Sequence, residues 1–229
     1  MNLLTGTVYE MKSYRTILIL FMIPMFFYPS LSVAGMSDDI LAAAKTGNRD
    51  QVKLLISKNA NINARDESDA TPLFYAVESG NTDIVKLLLK AGANVNLKYR
   101  DDFTVLMRAS IHGHNDIAKL LIKSGANVNA RDSKEKSVLI HAAKNGRMDI
   151  IKMLIAKNVN INARDIDGRS PVMYAAEYGY YDITKLLVSK GANIKATDNN
   201  NKTALDLARD NDHPDVATLL VKLIKQRDR

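Results

Sequence analysis

Four histidines and several closely spaced aspartates are the residues of this chain that could take part in metal or acid–base chemistry. The histidines are His112, His114, His141 and His213, and cysteine is absent. A zinc site needs ligands at a recognisable spacing, such as two histidines one helical turn apart beside a carboxylate. No such spacing occurs in the sequence. We therefore expect no metal ion and no cofactor.

Paired aspartates are the other candidates, because two neighbouring carboxylates can divide acid and base roles. Two such pairs are Asp38 with Asp39 and Asp165 with Asp167. Catalysis needs one distinctive set of groups around an activated nucleophile or base. No serine has a histidine and a carboxylate at recognisable motif positions, and the sequence lacks a glycine-rich phosphate loop. We predict that the chain is not an enzyme.

The elements that carry these residues recur every 33 residues without insertion or deletion. A hydroxyl residue opens each of five periods and is followed five residues later by alanine. The hydroxyl residues are Thr71, Thr104, Ser137, Ser170 and Thr203. Ala43, Gly47 and Asp50 match Ala76, Gly80 and Asp83 one period earlier, so the pattern has six units. A fixed period of this length indicates a stack of equivalent structural units.

Two segments carry a family resemblance: TPLFYA from Thr71 and GNTDIVKLLLKAGANVN from Gly80 resemble ankyrin repeats. The resemblance implies an all-α fold, an ankyrin-repeat solenoid of six 33-residue helix-turn-helix repeats with β-hairpin-like loops. The predicted ankyrin domain covers residues 35–229. Its repeats are 37–65 as the N-terminal cap, 66–98, 99–131, 132–164, 165–197, and 198–229 as the C-terminal cap.

Local chemistry predicts where the helices begin and end. The recurring hydroxyls can cap the first helix of each unit, even where valine replaces proline at the next position. Ser37 is the corresponding cap of the first unit, and His141 is expected on the exposed surface of the first helix of its unit. Glycine ends most second helices in a left-handed conformation, and Asn59 and Asn158 replace it in two units. Apolar residues at helical spacing, such as Ile117, Leu120 and Leu121, predict a stripe buried against the next unit.

The N-terminal segment has the composition of a secretory signal peptide. Lys12 and Arg15 precede an uncharged apolar run, and small residues end the segment at Ala34. We expect a signal peptide over residues 1–34, with cleavage after Ala34 and either Met1 or Met11 as the start. The densest apolar run, Ile17 to Phe27, is shorter than the ~20 residues of a membrane span. An uncleaved membrane anchor is the alternative, and in both cases the repeats lie outside the cytoplasm.

The net charge of +7 and the family resemblance together suggest a partner-binding surface. In ankyrin proteins the hairpin tips and the exposed side of the first helices form a concave binding surface. The residues that the register places there are Lys98, Arg100, Phe103, Ile111, Arg131, Lys134, Lys136, Lys144, Arg164, Arg169 and Tyr178. This set predicts a protein partner with an acidic or mixed-charge surface.

The sequence therefore predicts a monomeric protein–protein interaction scaffold that is exported to the periplasm or secreted. The abundance of lysine, asparagine and isoleucine also suggests a bacterial source. A membrane-anchored form and a secreted protein directed at a host are the alternatives. Nucleic-acid binding is not expected, because acidic residues are scattered among the basic ones. The absence of cysteine is compatible with an oxidising compartment and excludes structural disulfides.

Overall fold

The computed structural model describes residues 29–227. The apolar run Ile17 to Phe27 and the alternative start at Met11 lie outside the described residues. Within residues 29–227 the chain forms twelve α-helices, one short 3₁₀ turn and no strand. The helices are α1 (Pro29–Thr46), α2 (Arg49–Ser57), α3 (Pro72–Glu78), α4 (Thr82–Lys90), α5 (Val105–His112), α6 (Asn115–Lys123), α7 (Val138–Lys144), α8 (Met148–Ile155), α9 (Pro171–Glu177), α10 (Tyr181–Ser189), α11 (Ala204–Asp210) and α12 (Pro214–Arg227); the 3₁₀ turn is Arg100–Asp102.

The helices pack as consecutive pairs that stack into two layers. Each odd-numbered helix contacts the even-numbered helix that follows it, and it also contacts the next odd-numbered helix along the stack. The odd-numbered helices pack more closely with one another than the even-numbered helices do. A continuous core runs through the stack from Ile40 to Leu220. The predicted all-α solenoid is therefore confirmed.

Hydroxyl capping of the first helices is confirmed at four positions. The side-chain oxygens of Thr71, Thr104, Ser137 and Thr203 each accept a hydrogen bond, at 3.2–3.3 Å, from the backbone N–H three residues ahead. Valine at the next position therefore leaves the cap in place. Ser170 differs, because its N–H donates to the sulfur of Met173 at 3.4 Å and its hydroxyl oxygen has no hydrogen-bond partner among the described residues.

Helix α1 begins earlier than the sequence predicted. It starts at Pro29, so it runs through the predicted cleavage point after Ala34, and Ser37 lies inside the helix instead of capping it. The prediction that Ser37 is an N-cap is therefore wrong for the full chain. Pro29 explains the start, since proline suits the first turn of a helix. None of the helices in the described part of the chain is long and apolar enough to cross a membrane.

The loops between helix pairs have the hairpin-like form that the repeat pattern implied. Isolated antiparallel bridges join Tyr99 to Phe103, Arg131 to Ser137, and Thr197 to Thr203. In the turn that starts at Asp165, the N–H of Asp165 donates to the carbonyl of Arg169 at 3.1 Å. These turns form a row along one edge of the stack, and we call them the tips; their residues are 66–70, 99–103, 132–136, 165–169 and 198–202.

Left-handed backbone after the second helices is confirmed at the two asparagines, since φ is +59° at Asn59 and +56° at Asn158. Glycine at the equivalent position Gly125 has φ of +87° and no atom near a potential Cβ. We expect Asn158→Gly to change the free energy of unfolding by less than about 0.5 kcal/mol, or to stabilise the protein, because glycine adopts positive φ without strain.

Urea-induced unfolding measures this effect. Asn158→Ala is the matched control, because alanine at positive φ costs about 1–2 kcal/mol. A marked loss of stability in Asn158→Gly would show that the asparagine side chain has a further role.

Candidate functional site

The candidate site is the face formed by the tips and the exposed sides of helices α3, α5, α7, α9 and α11, which we call the inner face. The helices of this layer are short, with seven or eight residues each. They also pack closely, so neighbouring tips lie side by side. The inner face therefore presents one tip and one helix from each pair in a regular row.

In four of the five tips, an aspartate side chain accepts hydrogen bonds from the backbone N–H groups of its own turn. In the tip that begins at Asp165, its Oδ1 accepts hydrogen bonds from the N–H groups of Asp167 at 3.1 Å and Arg169 at 2.8 Å. Asp132 and Asp198 bind their tips in the same way and are also buried. Each carboxylate therefore holds its own turn closed and takes no part in surface chemistry.

In three of these four tips, the second oxygen of the aspartate binds a side chain nine residues ahead, on the following helix. The hydroxyl of Tyr174 donates to Asp165 Oδ2 at 2.6 Å, and the hydroxyl of Tyr75 donates to Asp66 Oδ2 at 2.5 Å. The hydrogen bond to Asp66 raises the pKa of Tyr75 to about 12. Burial and then the bond to Asp165 raise the pKa of Tyr174. Both tyrosines therefore stay neutral donors at physiological pH.

His141 occupies the same position in its unit, and the structure corrects its assignment. The sequence placed it on the surface of the first helix, but it is only 6% exposed, and its Nε2 lies 2.9 Å from Asp132 Oδ2. The aspartate–tyrosine or aspartate–histidine spacing of nine residues recurs in three units. That recurrence was the sequence signal that could have revealed these bonds.

The tip at Tyr99 breaks this pattern. Tyr99 replaces the aspartate and stacks on Phe74, with ring centroids 4.2 Å apart. Arg108 stands where the tyrosine or histidine would be, and its guanidinium lies over Phe74 and Phe103 at 5.2 and 5.5 Å. Glu78 Oε2 lies 2.8 Å from Arg108 Nε, although the N–H is not directed at the oxygen. Stacking and ion pairing replace the buried carboxylate here.

We expect His141 to make the stability of the protein depend on pH. Burial lowers its pKa, and the charges of Lys136 and Lys144 act in the same direction, while Asp132 opposes them. As pH falls below about 6.5, the unfolded chain binds a proton at this histidine before the folded chain does. The free energy of unfolding should therefore fall with decreasing pH, by at most about 1.4 kcal/mol per pH unit from this group.

His141→Tyr is the matched control, because tyrosine occupies the equivalent positions 75 and 174 and cannot titrate in this range. Urea unfolding of both proteins between pH 7 and pH 5 measures the difference. The stability of the native protein should decline more steeply than that of the variant. Parallel profiles would show that His141 titrates alike in the folded and unfolded states.

Two of the predicted partner-binding arginines are engaged in holding neighbouring tips together. Arg131 Nη1 donates to the carbonyl of Arg164 at 2.9 Å and pairs with Glu135 at 3.0 Å. Arg164 donates in turn to the carbonyls of Gly168 and Thr197. Their charges remain at the surface, but Nη1 of Arg131 and both Nε and Nη2 of Arg164 already donate hydrogen bonds within the protein.

The other predicted basic residues differ in how freely they are displayed. Lys98 pairs with Asp102 at 3.0 Å, whereas Arg100 and Lys134 are exposed and form no side-chain ion pair among the described residues. Arg169 is held by two hydrogen bonds of 2.9 Å to Glu177 and by Asp198 at 3.3 Å. Lys136 and Lys144 are half-buried.

Three cationic groups surround a single aromatic ring in the middle of the inner face. Lys136 Nζ, Lys144 Nζ and Arg169 Cζ lie 5.6, 5.8 and 5.8 Å from the centroid of the Tyr174 ring. The structure therefore brings together three of the predicted residues from two neighbouring units. Such contacts contribute on the order of 0.5–1 kcal/mol each at exposed sites.

The predicted apolar contact residues lie on both sides of this cluster. Phe103 and Ile111 are half-buried in the preceding unit, and Phe103 packs against the ring of His141 at 5.1 Å. Tyr178 is 43% exposed and stacks on Tyr180. Ile166, a tip residue outside the predicted set, is 55% exposed. Whether any of these residues contacts a partner stays a prediction.

Histidines and carboxylates do not converge on a metal site within the described residues. His112 and His114 stack with ring centroids 5.5 Å apart, in nearly parallel planes. His112 Nε2 lies 3.6 Å from Glu78. This arrangement is a packed junction between two helix pairs.

Comparison with known proteins gives one family match. A family model described as "Ankyrin repeats (3 copies)" matches residues 40–132, 106–198 and 139–228. The overlapping matches together run from residue 40 to residue 228, which is more than half of the chain. No curated protein matches the chain significantly.

Proposed function

The chain belongs to the ankyrin repeat family, and from this premise we propose that it is an exported scaffold that binds another protein through its inner face. Ankyrin repeats mediate protein–protein interaction, and proteins built from them are typically binding scaffolds without enzymatic activity. Fold alone does not identify the partner.

The observation that carries this proposal is the contrast between uniform core positions and varied inner-face positions. Alanine recurs at the buried positions 76, 109, 142, 175 and 208. In contrast, the last residue of each tip is Ala70, Phe103, Lys136, Arg169 or Lys202. Packing explains the uniform positions. The varied positions have no common packing requirement, which leaves them free to differ for recognition, as in other stacked-repeat proteins.

The charges of the inner face support a partner protein with an acidic or mixed-charge surface. Arg100 and Lys134 project from tips, and Lys136 and Lys144 lie in the middle of the row. Complementary charge speeds association and excludes wrong partners. Nucleic acid is a weaker candidate, because Glu135, Asp167 and other acids lie among these bases. We propose that the protein acts as a monomer.

Captured partners test the binding proposal. The protein is tagged, cross-linked in its own cells and recovered with its neighbours, for comparison with a variant carrying Arg100→Glu and Lys134→Glu. A control variant carries Lys53→Glu and Lys119→Glu, the same charge change on exposed residues of second helices. We expect a partner that the first variant loses and the control retains. Equal recovery by all three proteins would show that the inner face is not the binding surface.

Export is proposed from the sequence of the leader. Lys12 and Arg15 before an apolar run, together with the absence of cysteine, support a signal peptide that directs the repeats out of the cytoplasm. Cell fractionation with N-terminal sequencing tests it. A mature chain that begins near Gly35 in the periplasm or medium is expected. A chain that begins at Met1 or Met11 in the membrane fraction supports the anchored alternative, and one in the cytoplasm contradicts export.

A further inference from the structure

Two positions of the inner face form a repeated pair, with one member at the end of a tip and the other eight residues later at the end of the first helix. In the fifth unit the pair is Arg169 with Glu177, joined by two hydrogen bonds of 2.9 Å. In the sixth unit it is Lys202 with Asp210, whose charged atoms lie 3.1 Å apart. In these two of the five units the pair is therefore a base at the tip and an acid on the helix.

The fourth unit departs from this chemistry. Its pair is Lys136 with Lys144, so a second base stands where the fifth and sixth units carry the carboxylate. Both ammonium groups lie beside the Tyr174 ring, at 5.6 and 5.8 Å from its centroid. Among the described residues, neither ammonium group forms an ion pair or a hydrogen bond.

Four carboxylates in this region are already occupied. Asp132 and Asp165 are buried, and each binds the N–H groups of its own tip together with a histidine or tyrosine. Glu177 and Asp198 bind Arg169. Among the described residues, no carboxylate lies within ion-pairing distance of either ammonium group, and two like charges remain beside one ring at a half-buried surface.

From this geometry we propose that a carboxylate of the partner protein binds between Lys136 and Lys144, in the place that Glu177 and Asp210 hold in the fifth and sixth units. This inference rests on the proposed function and assigns its central contact. The half-buried surroundings strengthen a charge-assisted hydrogen bond. The Tyr174 ring beneath keeps both lysine side chains positioned over it.

The preceding unit extends the proposal to a second residue of the partner. Its pair at the same two positions is apolar, Phe103 with Ile111. Neighbouring packed helices lie about 8–10 Å apart, which corresponds to about three residues of extended chain at roughly 3.3 Å each. The partner segment should therefore carry an apolar residue and an acidic residue about three positions apart.

Selection of peptides tests the inference directly. Random peptides displayed on phage are selected on the purified protein, and the strongest binder is synthesised. We expect enriched peptides with aspartate or glutamate about three positions from a large apolar residue. The affinity of the synthetic peptide is then measured for the native protein, for Lys144→Glu and for the control Lys119→Glu.

Lys144→Glu should weaken binding by about tenfold or more, whereas Lys119→Glu should leave it unchanged. The midpoint of unfolding of Lys144→Glu should not fall, because the new carboxylate can pair with Lys136 as Glu177 pairs with Arg169. Replacing the acidic residue of the peptide by its amide should weaken binding to the native protein and have little further effect with Lys144→Glu.

The outcomes separate the two proposals. Enriched peptides that lack acidic residues, or that bind Lys144→Glu as tightly as the native protein, overturn this inference and leave the binding function intact. If a random single-stranded oligonucleotide competes with the peptide for binding at Lys144, the ligand of this site is a phosphate instead of a carboxylate. That result would also overturn the inference. If no peptide is enriched, both proposals fail.

Discussion

Leu121→Ala should lower the free energy of unfolding by about 2–5 kcal/mol, the largest effect that we expect from a single core substitution. Leu121 is fully buried in the middle of the stack. Helix α6, which carries it, contacts helices α4, α5 and α8. Neighbouring units cannot close around the missing side chain without giving up their own contacts, so a cavity remains.

Leu54→Ala is the matched control for this change. Leu54 also lies in a second helix, but it is 46% exposed, because α2 belongs to the first pair and packs against a neighbour on one side only. Its truncation should change the free energy of unfolding by roughly 0.5 kcal/mol or less. Urea-induced unfolding gives both values when the two variants are fitted with a common dependence of the free energy of unfolding on urea concentration. Equal effects of the two substitutions would contradict the assigned core.

Asp165→Ala should lower the free energy of unfolding by about 2–4 kcal/mol. The carboxylate is 6% exposed and accepts three hydrogen bonds, two from its tip and one from the hydroxyl of Tyr174. Alanine would leave the buried hydroxyl without an acceptor and would release the turn. The loss from an unsatisfied buried donor is about 1–3 kcal/mol, and the opened turn adds to it.

Two further variants separate these contributions. Tyr174→Phe removes only the hydroxyl, and the double variant Asp165→Ala with Tyr174→Phe should be less unstable than the sum of the single changes, since the two side chains share one bond. Asp167→Ala, an exposed residue of the same tip, should stay within about 0.5 kcal/mol of the native protein. Additive losses would show that the two side chains act independently.

Much of the fold could be predicted because its determinants are local. The capping hydroxyls at Thr71 and Thr104 and the left-handed asparagine Asn158 act within one helical turn of their own backbone. Their conformational preferences are the same in any stack. The exception was Ser37, because residues before it could extend the helix backwards to Pro29.

The candidate site could be predicted only in outline. The 33-residue repeat register placed Lys136, Lys144 and Arg169 on one face, but it did not show that all three surround the ring of Tyr174. It also did not show that Arg131 is occupied by the carbonyl of Arg164 in the next unit. These contacts join residues of different units, so they depend on how closely the units stack.

The sequence by itself determined the period of the array, the limits of most helices and the face that carries the basic residues. Hydrogen bonds, dihedral preferences and helical spacing within a single unit are sufficient for those features. Only the tertiary structure decided which charged side chains have partners inside the protein, as Arg169 has, and which remain available, as Lys144 does. Availability depends on distances between side chains that approach each other only when the units pack together.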